Sequence, residues 1–169
     1  MRMAILAALI AATAPAAASA EAGPLPASFF SGRWYEIARS PNPSQADCQA
    51  PTYDFESRPG AAPLFTLTCR KGSPSGRAER LRVKVQLPGG GSASRFRVTA
   101  LGGLVGADYR VLDRDEAMTW AILSLADGKE VWLLARRPSF GGAERQTAVG
   151  RIAALGFNAK TLVFPRHGG

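Results

Sequence analysis

A chain of 169 residues holds one ordinary domain. Its formal charge of +8 could serve nucleic acid, anionic lipid or an acidic ligand, but the Lys and Arg residues are scattered, which favours a solvated basic surface and leaves nucleic acid a remote partner. The single histidine, His167, sits near the C terminus, so Ser-His-Asp, Cys-His and His-based zinc sites each lack a part.

Residues 1–20 read as a secretory signal peptide. Arg2 supplies the positive start, Ala4 to Ala12 an apolar run, and Ala18-Ser19-Ala20 a small-x-small cleavage site. The run is too short for a transmembrane helix. Cleavage would leave a single domain, residues 21–169, starting at Glu21. No cysteine precedes Cys48, so no lipid-attachment cysteine is expected. The product is expected to be a soluble periplasmic or secreted protein without a membrane anchor, touching a membrane surface at most transiently. Cys48 and Cys69 are an even pair, which in an oxidising compartment reads as one disulfide. Its loop-closure contribution would be about 3 kcal/mol. The alternative is a reactive thiol.

Phe29 and Phe30 precede Gly32-Arg33-Trp34-Tyr35-Glu36-Ile37-Ala38-Arg39, a strand-like run in which Trp34 brings a large apolar body and one N–H. Ser40 to Ala46, with two prolines, is a loop. Strand-like segments then follow at short, regular spacing. They are Pro51 to Ser57, with Tyr53 and Phe55 on one face, and Leu64 to Arg70, with Phe65, Leu67 and Cys69 on one face. Arg80 to Leu87 alternates cation or amide with aliphatic, and Arg95 to Leu101 sets Phe96 and Val98 opposite Arg95 and Arg97. Water is the plain destination of these cations. A sharper reading places one or two at the mouth of a barrel, facing a carboxylate or phosphate.

Gly102 to Gly106 is glycine-rich, but no Lys-Ser or Lys-Thr follows, so it is no phosphate cradle. Ala107 to Asp113 is the sixth strand, Met118 to Leu123 the seventh, Asp127-Gly128 a hairpin turn, and Val131 to Arg136 the eighth. Asp113, Asp115 and Glu116 cluster on the intervening turn as solvated charge. Ala148, Val149, Ile152 and Leu155 have helical spacing within Ala143 to Leu155, with Gly156 as C-cap. Thr161 to Phe164 makes a short ninth strand, and Pro165 onward reads as a mobile tail.

The run Gly32-Arg33-Trp34-Tyr35-Glu36-Ile37-Ala38-Arg39 resembles the Gly-x-Trp opening motif of the lipocalins, and most closely their bacterial, apolipoprotein-D-like branch. Tyr109 to Asp113, Trp120-Ala121 and Trp132 to Pro138 resemble later motifs of the same branch. Met118 and the Gly102–Gly106 loop depart from it. The resemblance implies an all-β fold: an eight-stranded antiparallel up-and-down barrel with one C-terminal helix packed outside and a short ninth strand. It implies that Trp34 closes the bottom of the barrel, that Arg136 packs across it, and that Gly32, Trp34 and Arg136 are structural. It also supports the Cys48–Cys69 pairing.

Such a barrel leaves room for one small ligand. The expected function is therefore carriage of a small apolar or amphiphilic molecule, such as a fatty acid or lysophospholipid, in envelope lipid maintenance. Phe96, Tyr109, Trp120 and Trp132 are the candidate ligand-binding wall. Tyr109 and Trp132 follow from the resemblance, whereas Phe96 and Trp120 rest on alternation, which a one-residue slip would reverse. No catalytic residue, metal or cofactor is expected. The rival readings are an interaction or stress-protective module with no dedicated ligand, and an isomerase using a free cysteine.

Overall fold

The computed structural model describes residues 22–56, 60–88 and 94–168. The leader, most of the Arg58–Gly60 turn and most of the Pro88–Ser92 turn lie outside the described residues. Period-2 alternation closes the chain on itself. Strands β1 (Gly32–Arg39), β2 (Cys48–Glu56), β3 (Leu64–Lys71), β4 (Ala78–Gln86), β5 (Arg95–Ala100), β6 (Val105–Arg114), β7 (Trp120–Leu125) and β8 (Val131–Ala135) pair in sequence order. Every pairing is antiparallel, and β8 returns to β1, so the barrel has no free sheet edge.

Alternation sorts the apolar residues into two cores. Trp34, Phe65, Val83, Val85, Phe96, Val111, Leu123 and Leu134 point inside. Ile37, Leu112, Ile122, Leu133 and Ala135 point outside, where helix α1 (Gly142–Ala154) covers them with Ala148 and Ile152. The helix ends at Gly156, whose φ of +93° is the left-handed conformation that glycine adopts without penalty. Arg151 of the helix reaches Asp113 at 2.8 Å, so this carboxylate of the acidic cluster ties the helix to β6. Asp115 accepts the backbone N–H groups of Thr119 (2.7 Å) and Trp120 (3.0 Å), and so shapes the β6–β7 turn.

Two bulges break the strict alternation. On β1 the pairing with β8 runs Glu36↔Leu134, then Ala38↔Leu133 and Arg39↔Trp132. Ile37 is the extra residue, so Glu36 and Arg39, three apart, both face inward. On β6 the extra residue is Leu112, between Val111↔Leu123 and Asp113↔Ile122.

Three expectations need correction. The seventh strand starts at Trp120, two residues later than expected, because Met118 sits buried in the preceding turn at φ +54°. The ninth strand is reduced to one bridge, Arg39↔Val163. Asn158 caps the residues that follow it, Ala159–Thr161, as a 3-10 turn ahead of that bridge by accepting the Lys160 N–H. The tail is not loose. Ala50 N–H donates to the Arg166 carbonyl (2.9 Å), Arg166 N–H donates to Gln49 Oε1 (2.8 Å), and His167 packs edge-to-face on Tyr35. Among the described residues no helix is long and apolar enough to cross a membrane.

Candidate ligand-binding cavity

The interior holds a cavity of about 590 Å³. Its floor is aromatic. The 3-10 turn Ala27–Phe30 tucks under the barrel, and Phe29 meets Trp34, Phe55 and Phe96 with ring centroids 5.2, 6.5 and 6.1 Å apart. Trp34 is fully buried beneath and donates its indole N–H to the Phe29 carbonyl at 2.9 Å.

Arg136 locks this floor from outside. Its guanidinium carbon lies 3.7 Å from the centre of the Trp34 ring. It donates to the carbonyl oxygens of Ser28 (2.7 Å), Ser31 (2.6 Å), Arg33 (3.1 Å) and Met118 (3.4 Å). Gly32, at φ +64°, makes the turn that presents Ser31 and Arg33 to one guanidinium.

Three of the four aromatic residues singled out from sequence form one continuous wall. Phe96 pairs with Tyr109 across β5 and β6, their rings stacked 5.6 Å apart. Tyr109 meets Trp132 at 5.5 Å, and all three line the cavity. Trp120 does not join them. Ala121, Leu123 and Leu125 of β7 face inward, so Trp120 faces the helix, where Arg151 lies 5.2 Å over its ring. Above the wall the lining is aliphatic, with Leu67, Leu81, Val98 and Leu125, and it opens between Lys71, Glu79, Gly106 and Glu130.

Most strand cations face away from the cavity, and only Lys71 at the end of β3 and Arg80 near the start of β4 reach its mouth among the described residues. Val83 and Val85, Phe96 and Val98 take the inner positions of β4 and β5, so Arg82, Lys84, Arg95 and Arg97 project outward. Arg97, for example, pairs with Asp108 at 2.6 Å. Lys71 at the mouth is matched by Glu79 at 3.4 Å.

A buried polar cluster went unrecognised in the sequence. Glu36 and Arg39 form an ion pair of 2.7 Å with almost no exposure. Glu36 also accepts from the Tyr53 hydroxyl (2.5 Å) and the Gln45 amide (2.9 Å). Arg39 donates to the carbonyls of Gln45 and Cys48. Gln45, on the 3-10 turn Pro43–Gln45 of the β1–β2 connection, accepts the indole N–H of Trp132 at 3.2 Å. The connection is therefore strapped across the cavity wall by its own side chain. Opposite charges three residues apart, interleaved with the apolar Trp34, Ile37 and Ala38, were the available signal.

Cys48 and Cys69 are bonded and leave no free thiol. The bond joins β2 to β3 beside the cavity, and it removes the nucleophile that the isomerase reading requires. His167 contacts the Glu36 carbonyl at 2.7 Å from the outer side and does not line the cavity.

Burial pushes the Tyr53 phenol well above its usual range, and the Glu36 carboxylate adds to the effect. Burial, then Glu130 and Glu36, pushes Tyr109 up to about 12. Both phenols stay protonated in the fold while the unfolded chain ionises near pH 10. Stability from this source is thus complete below about pH 10 and lost as pH rises, at up to about 1.4 kcal/mol per unit for each ring. Tyr109 alone is expected to remove about 2–3 kcal/mol between about pH 10 and 12. Denaturant midpoints across this range, with phenolate absorbance, check it. Phenolate appearing at one pH in native and unfolded chains would mean both rings are open to water.

The lipocalin-like domain family profile matches residues 25–167. No curated protein sequence matches the chain. Among solved structures it is similar to insecticyanin from the tobacco hornworm Manduca sexta, with a TM-score of 0.70 and 14% identity over 88% of this chain and 84% of that one. It is similar to the cockroach allergen Per a 4, with a TM-score of 0.68 and 15% identity over 88% and 92%. Lobster apocrustacyanin A1 follows, with a TM-score of 0.64 and 13% identity over 84% and 79%. At such identity these likenesses speak for the fold alone. The match across nearly the whole described chain, together with the closed barrel, shows that this protein belongs to the family of the lipocalin-like domain.

Proposed function

We propose that this chain is an exported carrier of a small apolar or amphiphilic molecule, with a fatty acid or lysophospholipid as the class that suits it best. The supporting observation is the cavity: about 590 Å³, walled by Phe55, Phe65, Phe96, Tyr109 and Trp132 and open at one end. That volume lies within the roughly 300–1,000 Å³ of pockets that enclose a small ligand. An acyl chain gains about 0.8 kcal/mol for each CH2 it buries, so the apolar wall needs no special polar anchor. The polar end of the ligand would sit at the mouth between Lys71, Glu79 and Glu130. The leader supports export to the periplasm or beyond, where upkeep of envelope lipid is the matching role. The opening motif supports placement in the bacterial, apolipoprotein-D-like branch.

Displacement of a fluorescent fatty acid tests this reading, with Leu67→Asp as the informative variant. Leu67 is half-buried and lines the middle of the cavity, so the fold tolerates a change that puts a carboxylate against the acyl chain. Affinity is expected to fall by about tenfold or more with the melting temperature little changed. A wild-type chain that takes up no fatty acid, and carries none when extracted from its native source, would overturn the proposal.

A further inference from the structure

The open end of the barrel carries an apolar tip that the cavity does not account for. In the β5–β6 connection Leu101 is 63% exposed, Leu104 89% and Val105 54%. Loop tips are ordinarily polar, and this one spends backbone strain to be apolar. Leu101 stands at φ +51°, a region that leucine seldom adopts, ahead of Gly102 and Gly103 at +70° and +96°. The tip borders the cavity directly, because Ala100, Val105 and Gly106 line the mouth.

The neighbouring β3–β4 hairpin reaches the same end and is basic. Residues 70–81 hold Arg70, Lys71, Arg77 and Arg80 against one acid, Glu79. Glu79 is already shared by Lys71 and Arg77. Among the described residues Arg80 has no ion-pair partner, and it lies at the rim of the cavity.

We propose that this end of the barrel docks on a lipid bilayer containing anionic phospholipid. Leu101 and Leu104 enter the interface, and Arg77 and Arg80 meet the phosphates with their aliphatic stems lying along the acyl boundary. A protein partner fits less well. Protein interfaces are anchored by aromatic residues and seldom by leucine, whereas this tip is two leucines on glycines with no aromatic residue in the tip or the basic hairpin. The docking rests on the surface alone. Its use, passing a ligand between bilayer and cavity without crossing water, rests on the carrier reading.

Flotation with vesicles of phosphatidylcholine, with and without about one third phosphatidylglycerol, tests the docking. The wild-type chain is expected to float with the anionic vesicles, to float poorly with the neutral ones, and to dissociate as salt rises from roughly 0.05 to 0.5 M. Leu101→Ser with Leu104→Ser should weaken binding by about tenfold, and so should Arg77→Glu with Arg80→Glu. Circular dichroism should be unchanged in both variants, since none of the four side chains is in a core, and fatty-acid displacement in solution should be unchanged in the leucine variant, since neither leucine lines the cavity. No flotation of the wild type, equal flotation with neutral vesicles, unchanged binding of either variant, or a leucine-dependent dimer in sedimentation would each overturn the docking. Flotation without fatty-acid uptake would keep the docking and remove the carrier reading, and uptake without flotation would do the reverse.

Discussion

Arg136→Ala is expected to cost about 2–4 kcal/mol of stability, a drop of roughly 10 °C in melting temperature, and to leave the choice of ligand unchanged. The size follows from the geometry. One half-buried guanidinium covers the Trp34 ring at 3.7 Å and donates to four carbonyls drawn from the N-terminal turn, the start of β1 and the β6–β7 turn. Without it the carbonyls recover some solvent, which keeps the loss below the sum of charge-assisted bonds. The Phe29 plug then has only its ring contacts and the Trp34 N–H to hold it. Arg136→Lys should recover less than half, because an ammonium cannot stack on indole and reach a fork of carbonyls together. A variant with the wild-type melting temperature would show that the floor is held by aromatic packing alone.

What could be read from the sequence was whatever a two-residue period or a helical period writes directly. Val83 and Val85 against Arg82 and Lys84 mark a half-buried strand without any knowledge of neighbours. Ala148 and Ile152 mark the helix face in the same way. The Trp34–Arg136 contact was accessible only through resemblance, since nothing local to either residue points to the other. Trp120 was misplaced because the face of a residue depends on where its strand starts. Here Met118 joins the inner core from the turn, at positive φ and outside the strand, so a two-residue period counted from it puts Trp120 on the wrong face. The C-terminal tail misled for a different reason: backbone pairing and one ring contact hold it, and neither leaves a compositional trace.

The Glu36–Arg39 pair was hidden by the bulge. Strict alternation sends residues three apart to opposite faces, and only the extra residue Ile37 brings both inside. The second large effect is expected here: Glu36→Ala should cost about 3–5 kcal/mol. It would strand the Arg39 guanidinium without a counter-charge, together with the Tyr53 hydroxyl and the Gln45 amide. Glu36→Gln should fare little better. Its amide has one acceptor where the carboxylate serves three donors.

The informative partner is the double variant Glu36→Leu with Arg39→Met, which removes both charges and keeps apolar volume. It should be more stable than Glu36→Ala by about 2 kcal/mol, because no unpaired charge stays buried. It should not regain the wild-type value, since the Gln45 and Cys48 carbonyls lose the Arg39 donor. Urea unfolding of the single and double variants measures the difference. A double variant as unstable as the two single losses combined would mean that the pair acts through its separate hydrogen bonds and not through mutual charge. The same series bears on the cavity. The Gln45 side chain ties the β1–β2 connection to Glu36 and to Trp132 of the wall, so a cover that loses Glu36 keeps only the Trp132 bond of that side chain, beside the Arg39 bond to the Gln45 carbonyl. Ligand dissociation should therefore quicken in Glu36→Ala at temperatures where the barrel remains folded. In Arg136→Ala, where the floor and not the cover is loosened, dissociation should stay slow.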